Sequence, residues 1–264
     1  MSFLDHLEEL RWHLVRSVAA IMVFAVVAFV SKSFVFDTVI LGPASADFWT
    51  FKMLCKLGAL MGSEVLCIED LPFLIQSRTM TGQFTMHLMS SFAIGIIVAF
   101  PYIFWEVWRF IGPGLHTTER KVSKGAVFFV TLLFSIGVSF GYFIMTPLAV
   151  NFLANYQVSA MVMNEFDITS YVSTITTLVL GSGFLFQLPM VVYFLSKVGI
   201  VTPELMKRYR KHAIVAILFL GAILTPPDPM SQVLIAFPLF GLYQFSILIS
   251  AAVWRRKKKV ANNI

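Results

Sequence analysis

Three carboxylates offer this sequence its clearest prospects for chemistry. Glu8 and Glu9 stand in the opening stretch His6-Leu7-Glu8-Glu9-Leu10-Arg11, and Glu119 directly precedes Arg120 and Lys121 in a basic loop. The ordinary reading of each is a solvated surface charge, and the residues alone do not decide otherwise. Catalytic constellations are missing. The histidines His6, His13, His87, His116 and His212 are dispersed, no HExxH or GxSxG occurs, and the glycines form no phosphate loop. Gly181-Ser182-Gly183 reads as a small-residue packing motif before a nucleophile site. No enzyme activity, metal or cofactor is expected.

Composition says what must hold these acids. Of 264 residues, 58% are apolar and only 13% are charged, against about 25% charged in an ordinary soluble domain. Phenylalanine alone occurs 27 times, and the mean hydropathy is +0.82. A water-soluble fold could not cover that much apolar surface with so few charges. A soluble enzyme, a disordered chain and a nucleic-acid-binding domain are thereby excluded, despite the pI of 9.4. An all-α polytopic membrane protein remains.

A helix needs about 20 mostly apolar residues to cross a bilayer. Segments of about 14–36, 84–108, 125–150, 171–195 and 233–253 satisfy this. A sixth, from Ala213 to Leu224, rises only about 18 Å. It lies between Lys207-Arg208-Tyr209-Arg210-Lys211 and the turn Thr225-Pro226-Pro227-Asp228-Pro229. A span so short cannot match a hydrocarbon layer about 30 Å thick, so the bilayer must thin there or a partner must compensate. With six spans and both termini in the cytoplasm, sixteen of the 20 Lys and Arg residues fall on the inner side, as basic residues prefer. Five spans would leave either the Lys207 or the Arg255 cluster outside. The N-terminus carries Asp5, Glu8 and Glu9 before any basic residue, so it reads as no cleavable signal peptide.

Phe3, Leu7, Leu10 and Leu14 form one stripe at helical spacing, predicting an amphipathic interfacial helix that leads into the first span. Glu8 and Glu9 flank that stripe symmetrically, and the helical wheel does not choose between them. The outer side is acidic, and its largest piece is the loop of about 37–83. Cys55 and Cys67 in that loop face an oxidising compartment and are expected to form a disulfide, contributing roughly 3 kcal/mol by restricting the unfolded chain. Pro101, Pro147, Pro189 and Pro238 lie within spans. They predict several proline-kinked helices and a concave bundle. No internal repeat is visible, so residues 1–264 read as one domain.

Several segments, taken together and in order, resemble the TatC family. They are His6-Leu7-Glu8-Glu9-Leu10-Arg11; Phe110-Ile111-Gly112-Pro113-Gly114-Leu115 with Glu119-Arg120; Phe186-Gln187-Leu188-Pro189; Gly199-Ile200-Val201-Thr202-Pro203-Glu204; and Thr225-Pro226-Pro227-Asp228-Pro229-Met230-Ser231-Gln232. The resemblance implies the core receptor of a twin-arginine protein translocase. Such a receptor binds the Arg-Arg signal peptides of folded precursors at the cytoplasmic face. Alignment of the motifs assigns the two family glutamates to Glu9 and Glu119, with Arg11, Phe110 and Pro113 shaping the site. A guanidinium pairs bidentately with a carboxylate and a lysine does not, so two fixed acids would read two arginines.

The same resemblance implies that Thr225 and Gln232 receive the helix of a single-span partner, TatA or TatB. Other TatC copies and the lipid bilayer complete the expected partners, with no nucleic acid. Gln187 stands where many relatives resembling this motif carry glutamate, so a role needing charge or a proton is in doubt there. A prokaryotic plasma membrane is the expected location. The alternatives are a small-solute secondary transporter, which should show internal symmetry and mid-depth ionisable groups, and a ligand-free scaffold.

Overall fold

The computed structural model describes residues 3–62, 67–68, 71–111, 123–159, 161–224 and 229–261. It is mostly helical, at 82%. The chain opens with α1 (Phe3–Val30), a π-helical turn at Phe34–Ile40 and α2 (Trp49–Leu60). Strand β1 (Leu74–Gln76) precedes α3 (Gly82–Ile111), α4 (Ser123–Phe140), a second π-helical turn at Gly141–Met145, and α5 (Thr146–Asn155). Strand β2 (Glu165–Asp167), α6 (Ile168–Leu185), α7 (Leu188–Val198), α8 (Pro203–Arg208), α9 (Arg210–Leu224) and α10 (Pro229–Ala261) follow.

Five helical stretches are long and apolar enough to cross a membrane: Glu8–Val30, Gly82–Phe110, Gly125–Asn155, Ile168–Val198 and Gln232–Arg255. They coincide with the five long apolar segments of the sequence. The sixth segment is α9, whose 15 residues rise about 22 Å.

The structure departs from the expected spans where side chains intervene in the backbone ladder. The α-helical ladder of α1 breaks after Val30, and helical backbone resumes at 32–33 and widens into the π-helical segment Phe34–Ile40. At the break the ring of His87 donates to the carbonyl of Phe29 at 3.0 Å, taking one of the carbonyls a helix end leaves open. In the third span Pro147 removes a donor, the chain widens into the π-helical turn, and Thr146 Oγ1 donates to the Gly141 carbonyl at 2.9 Å. In the fourth, α6 stops at Leu185 and α7 starts at Leu188. Gln187 is the residue preceding α7, and Pro189 occupies its first turn, where a missing N–H costs nothing. Helix α7 ends on Gly199, whose φ of 101° suits a residue without a Cβ.

The chain divides into two compact units. The first comprises Met1–Leu132 and Val150–Thr176. Helix α1 packs along α3 in this unit, and small residues permit it. Ser91, Gly95 and Ala99 recur every fourth position of α3 and are buried, facing Ala25 and Ala28 of α1. A Cβ on Gly95 would come within 2.7 Å of the Ile21 carbonyl oxygen, so the two backbones touch. This is the packing that apolar surroundings require, because lipid supplies no hydrophobic drive between helices.

The segment between α1 and α3 is more structured than the bare loop its length suggested. It contains α2, and Cys55 is joined to Cys67 across a separation of 12 residues. Strand β1 pairs in parallel with β2, with Leu74 opposite Glu165. Asp167 ends β2 and begins α6. Its carboxylate accepts from the Thr169 hydroxyl, from the Thr169 amide at 2.8 Å and from the Arg78 amide at 2.9 Å. These bonds, the Thr169 hydroxyl first, hold the Asp167 carboxyl below the usual carboxylate range. A depressed folded-state pKa stabilises above the unfolded value of about 3.9 and is lost as pH falls through the folded value. Melting temperature should therefore drop more steeply below pH 4 in the natural protein than in Asp167→Asn. Parallel melting curves for the two from pH 6 to pH 3 would remove Asp167 from the account.

The second unit comprises Leu133–Ala149 and Thr177–Ile264. Its core is Met145, Ala149, Leu178, Ile217, Ile235 and Leu239. Gly137 of α4 and Gly141 of the second π-helical turn meet the backbone of α6. A Cβ on Gly137 would lie 2.6 Å from the Ser182 carbonyl oxygen, so Gly181-Ser182-Gly183 does pack as a small-residue motif. Buried hydroxyls Ser196 and Ser250 join α7 to α10 at 2.8 Å. Tyr243 donates to the Met206 carbonyl at 2.7 Å, and Trp254 donates to the Val201 carbonyl at 3.0 Å, which fastens α8 to α10.

Candidate functional site

The cytoplasmic-site residues expected from sequence divide between described and undescribed positions. Glu119 and Pro113 lie outside the described residues, as does Thr225 of the partner-binding pair. Glu9, Arg11 and Phe110 are described. Arg11 is exposed on α1, Glu9 is half-buried, and Phe110 sits half-buried in the last turn of α3.

What organises this region is a pair that sequence reasoning passed over. Glu106 of α3 is 1% exposed and is the sole buried acid among the described residues. Its Oε2 accepts a hydrogen bond from His13 Nδ1 of α1, and His13 is itself 8% exposed. Two half-exposed guanidiniums flank the same carboxylate, Arg16 Nη1 at 3.9 Å and Arg109 Nη1 at 3.8 Å. Arg109 also lies over the Trp105 ring at 4.8 Å. The Phe110 ring stands edge-on to His13 with centroids 6.2 Å apart. A buried carboxylate without partners would be costly; here it has a neutral-or-charged imidazole and two cations around it.

Helical periodicity explains the convergence. Glu9 and His13 are four residues apart, so they occupy one face of α1, one turn above the other. Glu106 and Arg109 are three apart on α3. Clamping His13 to Glu106 thus sets the first turns of α1 against the final turns of α3. From that point the chain enters the segment 112–122, which carries Glu119. A signal for half of the pair was present in sequence: an acid just inside the end of a long apolar segment. Neither position reveals its partner, because the two are 93 residues apart.

The remaining expectations are distributed elsewhere. In the second unit, Gln232 donates from Nε2 to the Leu218 carbonyl at 3.3 Å, tying the beginning of α10 to α9. Gln187 is half-buried at the α6–α7 break. Cys55 and Cys67 are bonded as expected.

Five long apolar helices and a charged cluster at the ends of two of them describe a multi-helix membrane protein. Comparisons with known proteins name the kind. The profile described as "TatC: Sec-independent protein translocase protein (TatC)" matches residues 5–238. The Sec-independent protein translocase protein TatC of Blattabacterium sp. subsp. Periplaneta americana (strain BPLAN) is 40% identical over 97% of each chain. That of Halalkalibacterium halodurans is 32% identical over 98% of this chain and 93% of the relative. A solved structure described as "Crystal Structure of Twin Arginine Translocase Receptor- TatC in DDM" superposes with a TM-score of 0.73, at 31% identity, covering 93% of this chain and 99% of its own. The chain belongs to the TatC family, and is a component of the Sec-independent, twin-arginine protein translocase and not an enzyme.

Proposed function

We propose that this chain is the signal-peptide receptor of its translocase, binding the paired arginines of folded precursors at the cytoplasmic face through Glu9 and Glu119. The observation that carries the reading is the position of Glu9, half-buried one turn before the His13 clamp. There its carboxylate is held on a packed helix close to where α3 releases the Glu119 segment. Arg11, Phe110 and Pro113 shape the surroundings. Two fixed acids distinguish arginine from lysine because only the planar guanidinium satisfies both carboxylate oxygens at once.

In this reading the chain is a single membrane domain of six spans, with α9 as the short fifth span and both termini in the cytoplasm of a prokaryotic plasma membrane. Proline-interrupted helices give it a concave face for the hydrophobic stretch of the signal peptide. Thr225 and Gln232 receive the helix of TatA or TatB, and further TatC copies assemble beside it. The test is co-purification with a signal peptide carrying Arg-Arg or Lys-Lys. Strong capture of the first and weak capture of the second is expected; equal capture of both, or capture of neither, defeats the receptor reading.

A further inference from the structure

Resting on that receptor reading, we propose that Glu106 is a positioning residue for signal-peptide recognition: by gripping His13 it fixes the rotation of α1 about its axis and so aims Glu9.

The geometry leaves Glu106 no part in binding peptide directly. Its side chain is 1% exposed, so an incoming guanidinium would first have to displace His13. Besides Arg109 of its own helix at 3.8 Å, its connections run to α1, through the His13 hydrogen bond and through Arg16 at 3.9 Å. Below this level the α1–α3 interface is small and smooth. Ala25, Ala28, Gly95 and Ala99 allow the helices to approach and carry no polar side chain; a second inter-helix hydrogen bond, from the His87 ring to the Phe29 carbonyl, lies at the opposite end of α1, far from Glu9. Ser17 Oγ is turned to the carbonyl of His13 on its own helix, and Ser91 Oγ to that of His87. The inter-helix hydrogen bond that gives α1 a defined roll at its N-terminal end is therefore His13–Glu106. Roll matters there because Glu9 is half-buried one turn before His13, between neighbours Leu10, Trp12, Leu14 and Val15 that are exposed. Each residue turns the helix by about 100°, so a roll of a fraction of that angle carries the Glu9 carboxylate several ångströms away. A bidentate pair does not survive such a displacement.

The experiment uses the full chain in nanodiscs, carrying a spin label at Leu10→Cys beside Glu9, and reads two quantities. One is the ratio of Arg-Arg to Lys-Lys signal-peptide capture, and the other is the mobility of the label. Glu106→Leu removes the acceptor. It should lower the capture ratio about tenfold and loosen the label. Glu106→Gln keeps an oxygen for the His13 N–H and should stay within about threefold of the natural protein. His13→Leu, made in case Glu106→Leu does not insert, should reproduce its losses, and the double variant should add nothing further. Natural selectivity and label mobility in either leucine variant would overturn the proposal. A natural protein that captures Arg-Arg and Lys-Lys peptides equally would instead end the receptor reading, and the label would still decide whether Glu106 fixes α1.

Discussion

Replacing Glu9 and Glu119 together by glutamine should remove the preference for Arg-Arg over Lys-Lys signal peptides and lower Arg-Arg capture about a hundredfold. The magnitude follows from the chemistry. A hydrogen bond to a charged group contributes about 1.5–3 kcal/mol net, and each factor of ten in affinity is about 1.4 kcal/mol. Each single variant should therefore cost about tenfold. Glutamine keeps the size and an accepting oxygen but loses the charge and the second equivalent acceptor, which are what a guanidinium fork uses. Glu8→Gln is the internal control. Glu8 is exposed on α1, and its loss should leave capture within about twofold, in keeping with a surface charge's contribution. If Glu8→Gln reduced capture as strongly as Glu9→Gln, the effect would be one of general charge and not of a placed carboxylate. Raising salt should weaken capture by the natural protein more than by the double variant, because screening acts on the charges the variant lacks.

The second large effect is expected at Gly95. A Cβ there would meet the Ile21 carbonyl oxygen at 2.7 Å, with the Ala25 Cβ and amide nitrogen each at 3.0 Å. Backbone atoms cannot rotate aside, so α1 must move away from α3. Gly95→Leu should lower stability by about 3 kcal/mol, the upper range for overpacking a close interface, read as a lower melting temperature in detergent. Gly95→Ala should cost less, since alanine's helix preference of about 1 kcal/mol over glycine offsets part of the clash. Gly241 supplies the contrast. A Cβ there would meet nothing within 4 Å, so Gly241→Ala in α10 should raise the melting temperature slightly. A Gly95→Leu protein as stable as the natural one would mean that close approach of the two backbones is not what holds the first unit together. Because separation of α1 from α3 also pulls His13 from Glu106, Gly95→Leu should impair Arg-Arg capture even in the fraction that remains folded.

Much of this architecture was readable along the chain. Long apolar runs locate the five helices long and apolar enough to cross a membrane, the first with an offset of six residues at each end, because lipid demands about 20 consecutive apolar residues and that demand is local. The small-residue character of Gly181-Ser182-Gly183 and the pairing of Cys55 with Cys67 were legible for similar reasons: both follow from residue type and from the side of the membrane assigned. Glu9 and Phe110 were marked by motifs. The hydrogen bond from His87 to the Phe29 carbonyl was not legible, since it joins residues 58 positions apart. Nor was the pairing of β1 with β2, since three residues of each strand carry too little periodicity to register.

The Glu106–His13 pair shows where the boundary falls. By itself the sequence determined that this is a helical membrane protein with acids near the ends of its helices, because solvent preference and helical period are properties of neighbouring residues. Only the tertiary structure decided which acid is buried and which histidine it grips. Small residues at Ala25, Gly95 and Ala99 bring two distant helices close enough for one side chain to reach the other, and that choice of partner is written in the packing of surfaces, not in the order of residues.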